Sequence, residues 1–184
     1  MIKGKSVDLR VIMEDDINEI FTLTSDLQER GNYWPYNLSS YPQYKKRFNE
    51  NGFWTDDFGT LLIVNKQGRR VGEITYFKGL WYMPGYEIGY QIYRKEDRGK
   101  GYGSEALNLF VDYLFKAKPI QRLEIEVIVD NIGSRKVAEK CGFQLEGLKR
   151  KASFSRGVYH DVELLSLIRE DWQSSFVDQI NTNK

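Results

Sequence analysis

Residues 96–107 read EDRGKGYGSEAL, with three glycines in five positions, Arg98 and Lys100 beside them and helix formers directly after. Glycine loses much conformational freedom on folding and packs nothing, so such a cluster marks a place where something must approach the backbone closely. A helix start also presents unpaired N–H groups and a partial positive charge, both suited to an anion. Backbone donors of Gly99 to Gly103 curling into a nest would hold phosphate, mainly by themselves, with Arg98 and Lys100 adding charge. Tyr102, between two of the glycines, either packs or touches the ligand. Two familiar nucleotide patterns fail on spacing. The dinucleotide fingerprint G-x-G-x-x-G finds Ser104 or Ala106 at its sixth position, and no Gly-Lys-Ser/Thr is present for a P-loop. What fits is R-x-x-G-x-G, formed by Arg98, Gly101 and Gly103.

The surrounding pattern supplies the elements that must position this loop. VDLRVI (7–12) alternates like a strand, and the acids of EDDINEIF suit a helix first turn. YPQYKKRFNEN (41–51) reads as a short polar-faced helix, and residues 60–77 as strand, KQGR turn and strand. YEIGYQIY (86–93) is the strand that feeds the glycine loop. A helix over about 102–116 then places Ala106, Leu107, Phe110, Val111 and Leu114 on one face. RLEIEVIV (122–129) alternates as a strand, a helix over 132–140 stops at Gly142, and a long hairpin turning at SRG closes the pattern. The order β-α-α-β-β-β-α-β-α-β-β contains a strand–helix–strand crossover, hence a parallel pair inside a mixed α/β sheet.

Composition narrows the class. A chain of 184 residues without linker or repeat predicts a single domain, bounded at 5–172 with a tail at 173–184. With 27 basic and 26 acidic residues the net charge is +1, so no global field recruits nucleic acid. One cysteine and one histidine exclude an internal disulfide and argue against a structural zinc site. The start MIKGKSVDLRVIMEDD has no apolar core, and no run approaches 18 apolar residues, so a cytoplasmic protein without a membrane partner is expected.

A second ordered segment, VIVDNIGSRKVAEKCGFQLEG (127–147), carries Asn131, Ser134 and then Glu139-Lys140-Cys141-Gly142-Phe143. With the R-x-x-G-x-G loop and the tail RGVYHDVELLSLIREDW, the chain resembles the GNAT superfamily of N-acetyltransferases over about residues 5–172. It is most similar to the branch of ribosomal-protein N-terminal acetyltransferases. The resemblance implies a mixed, mostly antiparallel sheet with helices on both faces and a central parallel pair splayed at the acetyl-CoA site. It implies acetyl-CoA as co-substrate, with no metal, its pyrophosphate on the 98–103 loop and its pantetheine arm paired with the preceding strand. Backbone groups at Gln91, Ile92 and Tyr93 would make that pairing by strand addition, and one N–H would polarise the thioester carbonyl. Asn131 and Ser134 would lie beside the departing sulfur, although a helix cap alone also accounts for each.

Acetyl transfer needs a base, because an ammonium has no lone pair with which to attack. Glu87 stands 11 residues before Arg98, where the histone-modifying branch carries its glutamate base; the alternative is a strand glutamate bonded locally. The chain departs from its relatives in two places. Ser153 stands where the ribosomal branch has a glutamate, and Ala138 where many relatives have the tyrosine that protonates the thiolate. Ser134 is then the first candidate for a group serving the leaving thiol, with Tyr159 behind it. His160-Asp161 is expected to form a structural hydrogen bond, and Cys141 to be a small buried residue at a helix end. Tyr33, Trp34, Pro35, Tyr36, Phe53, Trp54, Trp81 and Tyr82 precede the coenzyme strand and would wall an acceptor pocket or form a homodimer surface. The acceptor is a primary amine, either a small molecule or a protein N-terminus. A non-catalytic acyl-CoA-binding module of the same fold is the alternative.

Overall fold

The computed structural model describes residues 1–79, 82 and 85–174. Among them, eight strands form one sheet in the order β1-β2-β3-β4-β5-β6-β8-β7. The strands are β1 (Ile2–Lys3), β2 (Val7–Val11), β3 (Phe58–Asn65), β4 (Arg70–Lys78), β5 (Gly85–Ile92), β6 (Arg122–Ile128), β7 (Gln144–Ser155) and β8 (Val158–Ile168). The helices are α1 (Ile17–Ser25), α2 (Tyr41–Asn51), α3 (Tyr102–Ala117) and α4 (Ile132–Lys140). None of the described helices is long and apolar enough to cross a membrane.

The expected mixed α/β sheet is present. Every pairing is antiparallel except β5 with β6, which α3 joins as a crossover helix. That parallel pairing is short: Gly85↔Arg122, Tyr86↔Leu123 and Glu87↔Glu124. Both strands run on, β5 to Ile92 and β6 to Ile128, without pairing again. The sheet therefore opens in its middle, directly after Glu87.

Two apolar layers hold the opening in place. Alternation puts Val7, Leu9, Ile63, Ile74 and Ile88 on the face covered by α3, whose Ala106, Leu107, Phe110, Val111 and Leu114 are all buried as their spacing predicts. The opposite face packs Leu62 and Tyr93 against Ile17 and Ile20 of α1 and against Phe53, with Tyr41, Tyr44 and Phe48 of α2 at the rim. Before α1, a short 3-10 turn (Glu14–Asp16) takes the first acids of the expected helix. Asp16 is buried there. Burial alone would raise its carboxyl, but hydrogen bonds from Arg10, the Met13 N–H and Arg70 hold it well below the usual carboxylate range.

Local signals fix the other boundaries. α2 begins at Ser40, whose Oγ accepts from the Gln43 N–H, and stops at Gly52 in the left-handed region. The β7–β8 turn is Arg156-Gly157, with φ of +52° and +81°, the two positive values that a two-residue hairpin requires.

Candidate acetyl-transfer site

Where β5 and β6 part, a groove of about 780 Å³ runs from the mid-sheet to the start of α3. Gln91, Ile92, Arg98, Gly99, Gly101, Tyr102, Gly103, Asn131 and Ser134 all border it. At its outer end Gly99 and Gly101 have φ of +74° and +83°, while Gly103 lies in the first turn of α3. A Cβ built on any of the three meets no atom within 4 Å, so these glycines line open space rather than a packed contact. Together with the unpaired amides of the first turn of α3, that backbone is a cradle for an anion, and it fits the pyrophosphate of a coenzyme.

Arg98 and Lys100, both exposed, find their polar partners within the chain. Arg98 donates from Nε to the Ile92 carbonyl (3.2 Å) and from Nη2 to the carbonyls of Tyr93 (3.2 Å) and Glu29 (2.5 Å). It clamps the loop to the end of β5. Lys100 is absent from the groove lining, and its Nζ lies 3.4 Å from Oδ1 of the buried Asp97, which Arg69 also holds. The donors of the glycine turn itself are therefore backbone, with Lys95, Arg98 and Lys140 also on the groove lining.

Tyr93 also lies elsewhere than expected. It is buried on the α1–α2 side, its N–H donates to the Val71 carbonyl (2.9 Å) and its hydroxyl to Glu73 Oε2 (2.9 Å). With both its amide and its carbonyl engaged, it has nothing left for strand addition. Alternation along β5 then turns the amides of Tyr90 and Ile92 toward the groove, because Tyr93 and Gln91 face β4.

At the inner end, Asn131 caps α4, its Oδ1 accepting the Ser134 N–H at 3.2 Å. The Ser134 hydroxyl lies 2.9 Å from the Tyr90 hydroxyl. Burial pushes Tyr90 up to about 12, so its phenol stays protonated at any working pH. Nothing local in the sequence distinguishes Tyr90 from the other aromatics of its alternating strand. The weaker candidate Tyr159 is 60% exposed on the β7–β8 hairpin, packed on Phe154 and outside the groove lining. The carboxylate of Asp161 accepts from the Lys151 N–H, at a bulge in β7. Cys141 is buried with its thiol pushed up to about 11 by burial, and its Sγ donates to the Ser104 carbonyl.

Glu87 occupies the last parallel pair, opposite Glu124, on the face of β5 that carries Gly89 and Gln91. It is half-buried and pushed up to about 7, first by desolvation and then by the carboxylates of Glu126 and Glu124, against the opposing pull of Lys149. A carboxylate with that affinity can take a proton near neutral pH.

On this same face lies a second cavity of about 330 Å³, walled by Phe21, Trp34, Tyr44, Phe53, Phe58 and Phe77 and bordered by Gly89. Of the aromatics expected as pocket walls, Trp34 borders both cavities, Phe53 lines the second and Tyr33 the first, its hydroxyl donating to the Asp130 carbonyl. Trp54 instead packs edge-on against buried Tyr76, Tyr36 sits exposed beneath the Arg156 guanidinium, and Tyr82 is exposed. Trp81 is outside the described residues.

The chain is similar to known proteins in sequence and in fold. The family model described as an acetyltransferase (GNAT) domain matches residues 7–144. The chain is 28% identical over 181 residues to a probable N-acetyltransferase, YjcK, of Bacillus subtilis, covering 93% of this chain and 98% of that one. It is 26% identical over 170 residues to the ribosomal-protein-serine acetyltransferase of Escherichia coli, covering 90% and 94%. In fold it superposes on the spermidine N-acetyltransferase of Vibrio cholerae, solved with CoA and spermine, at a TM-score of 0.82 and 20% identity over 92% of this chain and 99% of that one. A sheet that opens between its one parallel pair, a glycine cradle at the helix start and a matching family model converge on one conclusion: the chain belongs to the GNAT family of N-acetyltransferases.

Proposed function

We propose that this chain transfers an acetyl group from acetyl-CoA to a primary amine by direct attack, with the residues of the β5–β6 opening in the working roles. The observation that carries the reading is the position of the opening. It begins beside Glu87, whose carboxyl is pushed up to about 7, and leads past Tyr90 and Ser134 to the glycine cradle. Acetyl-CoA supplies an activated acyl group as its thioester. The Gly99–Gly103 backbone binds its pyrophosphate, and the amides of Tyr90 and Ile92 extend β5 along the pantetheine arm. Glu87, directly or through one water, takes the proton that the ammonium must lose before its nitrogen can attack. As the N–C bond forms and the C–S bond breaks, an amide of β5 stabilises the charge on the carbonyl oxygen, the hydroxyl pair Tyr90–Ser134 protonates the sulfur, and the second proton that the acetylated nitrogen sheds passes through water to restore that pair.

A protein α-amine, with an ordinary pKa of about 7.7–8.0, asks less of a base at about 7 than a lysine at about 10.4. The test is release of free thiol from acetyl-CoA across a panel of amines, run beside acetyl-CoA binding followed as thermal stabilisation. Amine-dependent thiol release supports the reading. Tight coenzyme binding without release from any amine replaces it with a non-catalytic acyl-CoA-binding module.

A further inference from the structure

The second cavity holds more positive than negative charge. Among the described residues its charged lining groups are Arg30, Arg47 and Glu73. Glu73 is already engaged through both oxygens: Oε1 accepts from Gln91 Nε2 at 2.8 Å and Oε2 from the Tyr93 hydroxyl at 2.9 Å. Of the two guanidiniums, Arg30 is half-buried and feels the Glu73 carboxylate at longer range, while Arg47 is exposed. Arg30 donates from Nη1 to the carbonyls of Pro35 (3.1 Å) and Asn37 (2.7 Å), and its Nε is buried without a partner. Arg47 lies 5.8 Å from the Phe53 ring centre, and neither arginine has a carboxylate within 4 Å among the described residues. Of their nitrogens, only the Arg30 Nε is withdrawn from water without a partner, and a guanidinium fork is shaped for a carboxylate.

The cavity also meets the reaction face. Gly89 borders it, two residues from Glu87 on the same side of β5, and a Cβ there would meet only the Phe77 ring at 3.8 Å. Arg30 and Trp34 border both the cavity and the coenzyme groove. An amine presented at Gly89 therefore has aromatic walls for its body and two guanidiniums on the lining, neither with a carboxylate within 4 Å among the described residues. At about 330 Å³ the space suits a molecule of amino-acid size. A polyamine would add positive charge to a site that already has an excess of it.

Resting on the transferase reading above, we propose that the acceptor is a small primary amine with an aromatic or bulky aliphatic body and a carboxylate, bound in the Phe21–Phe53–Phe77 cavity with its carboxylate on Arg30 and Arg47. The experiment compares phenylalanine, phenylalaninamide, phenethylamine and spermidine as acceptors, by thiol release from acetyl-CoA with rates corrected for the neutral-amine fraction. Phenylalanine is expected to exceed phenylalaninamide and phenethylamine in kcat/KM by about tenfold or more, the worth of one charge-assisted contact. That preference should collapse to about twofold or less in Arg47→Gln or in Arg30→Gln, mainly through KM; Arg47 is exposed and bonds no backbone, so its variant tests the idea without loosening the 30–37 loop. A preference for the amide or the plain amine, or one for the acid that survives both substitutions, overturns the proposal. Thiol release with spermidine but not with phenylalanine overturns it too and leaves the transferase reading standing. Release with none of the four, nor with the wider amine panel, overturns both.

Discussion

The Tyr90 hydroxyl, from the strand before the opening, and the Ser134 hydroxyl, from the helix after it, meet at 2.9 Å across the gap where β5 and β6 no longer pair. Tyr90 Oη also lies 3.0 Å from the Ser134 carbonyl, so the phenol is fixed by the first turn of α4. This contact sets a phenol of β5 beside the Ser134 hydroxyl of α4, whose position 138 is an alanine.

If the pair serves the leaving sulfur, Tyr90→Phe should lower kcat by about 10²-fold, the lower end of what a positioned acid contributes, with acetyl-CoA affinity nearly unchanged. Ser134→Ala should cost less, about tenfold, because Tyr90 retains its proton and a second acceptor. The double variant should lose far less than the product of the two, since the hydroxyls act as one unit. Steady-state rates of the three variants check this; a Tyr90→Phe enzyme within twofold of wild type places the acid elsewhere.

The glycine cradle predicts opposite signs for binding and stability at neighbouring positions. Gly103 lies in a helical turn with open space where a Cβ would be, so Gly103→Ala should stabilise the unliganded protein by up to about 1 kcal/mol and yet weaken acetyl-CoA binding. Gly101 has φ of +83°, so Gly101→Val should cost about 1–2 kcal/mol or more and abolish coenzyme binding. Chemical denaturation without ligand, paired with ligand-induced thermal shifts, reads both quantities. Undiminished binding by Gly103→Ala would mean that nothing approaches that backbone.

Much of this architecture is legible because its signals are local. The Ser40 cap and Gly52 stop delimit α2, and the five apolar positions of α3 follow its period. β1 escapes because two residues paired to Leu9 and Asp8 leave no periodicity to read. The glycine loop and its reliance on backbone donors are visible for the same local reason, but the partners of its charged residues are not. Arg98 reaches carbonyls at positions 29, 92 and 93, and Lys100 turns to Asp97. Tyr90 and Glu73 acquire meaning only when strands from distant parts of the chain are laid side by side, placing one against Ser134 and the other against Gln91 and Tyr93. Side-chain partners separated by 18 to 44 positions are a property of register, and register is set by the whole sheet.

Arg98 should behave as a structural clamp more than as a phosphate ligand. Its three carbonyl partners predict that Arg98→Ala destabilises the free protein by about 2 kcal/mol, in the range for hydrogen bonds from a charged donor. Lysine keeps the charge but lacks the fork, so Arg98→Lys should recover little of that stability. Acetyl-CoA affinity should fall in both variants by less than in Gly101→Val. Denaturant midpoints without ligand decide the matter; an Arg98→Ala protein as stable as wild type would return the guanidinium to the phosphate.

If Glu87 is the base, one titration links activity and stability. Its carboxyl is pushed from the ordinary 4.5 up to about 7 by burial and by Glu126. As a base it works only when ionised, so kcat/KM should rise with pH through about 7, and Glu87→Gln should lower it by about 10²–10⁴-fold at pH 7.5 and remove that limb. Raising the pH further supplies neutral amine from solution, so the variant should recover in part. The stability effect runs the other way. A folded-state affinity above the ordinary one means that the folded protein holds the proton more tightly, which favours folding at low pH. That contribution is complete below about 4.5 and is lost as pH rises through about 7. Glu87→Gln, which cannot ionise, should therefore melt higher than wild type at pH 8, with the difference shrinking as pH falls through 7 and vanishing near 4.5. A single pair of pH series, one of rates and one of melting temperatures, tests both halves. A variant that keeps its rate at pH 7.5 but still melts higher at pH 8 would show that Glu87 is a buried carboxylate and not the base.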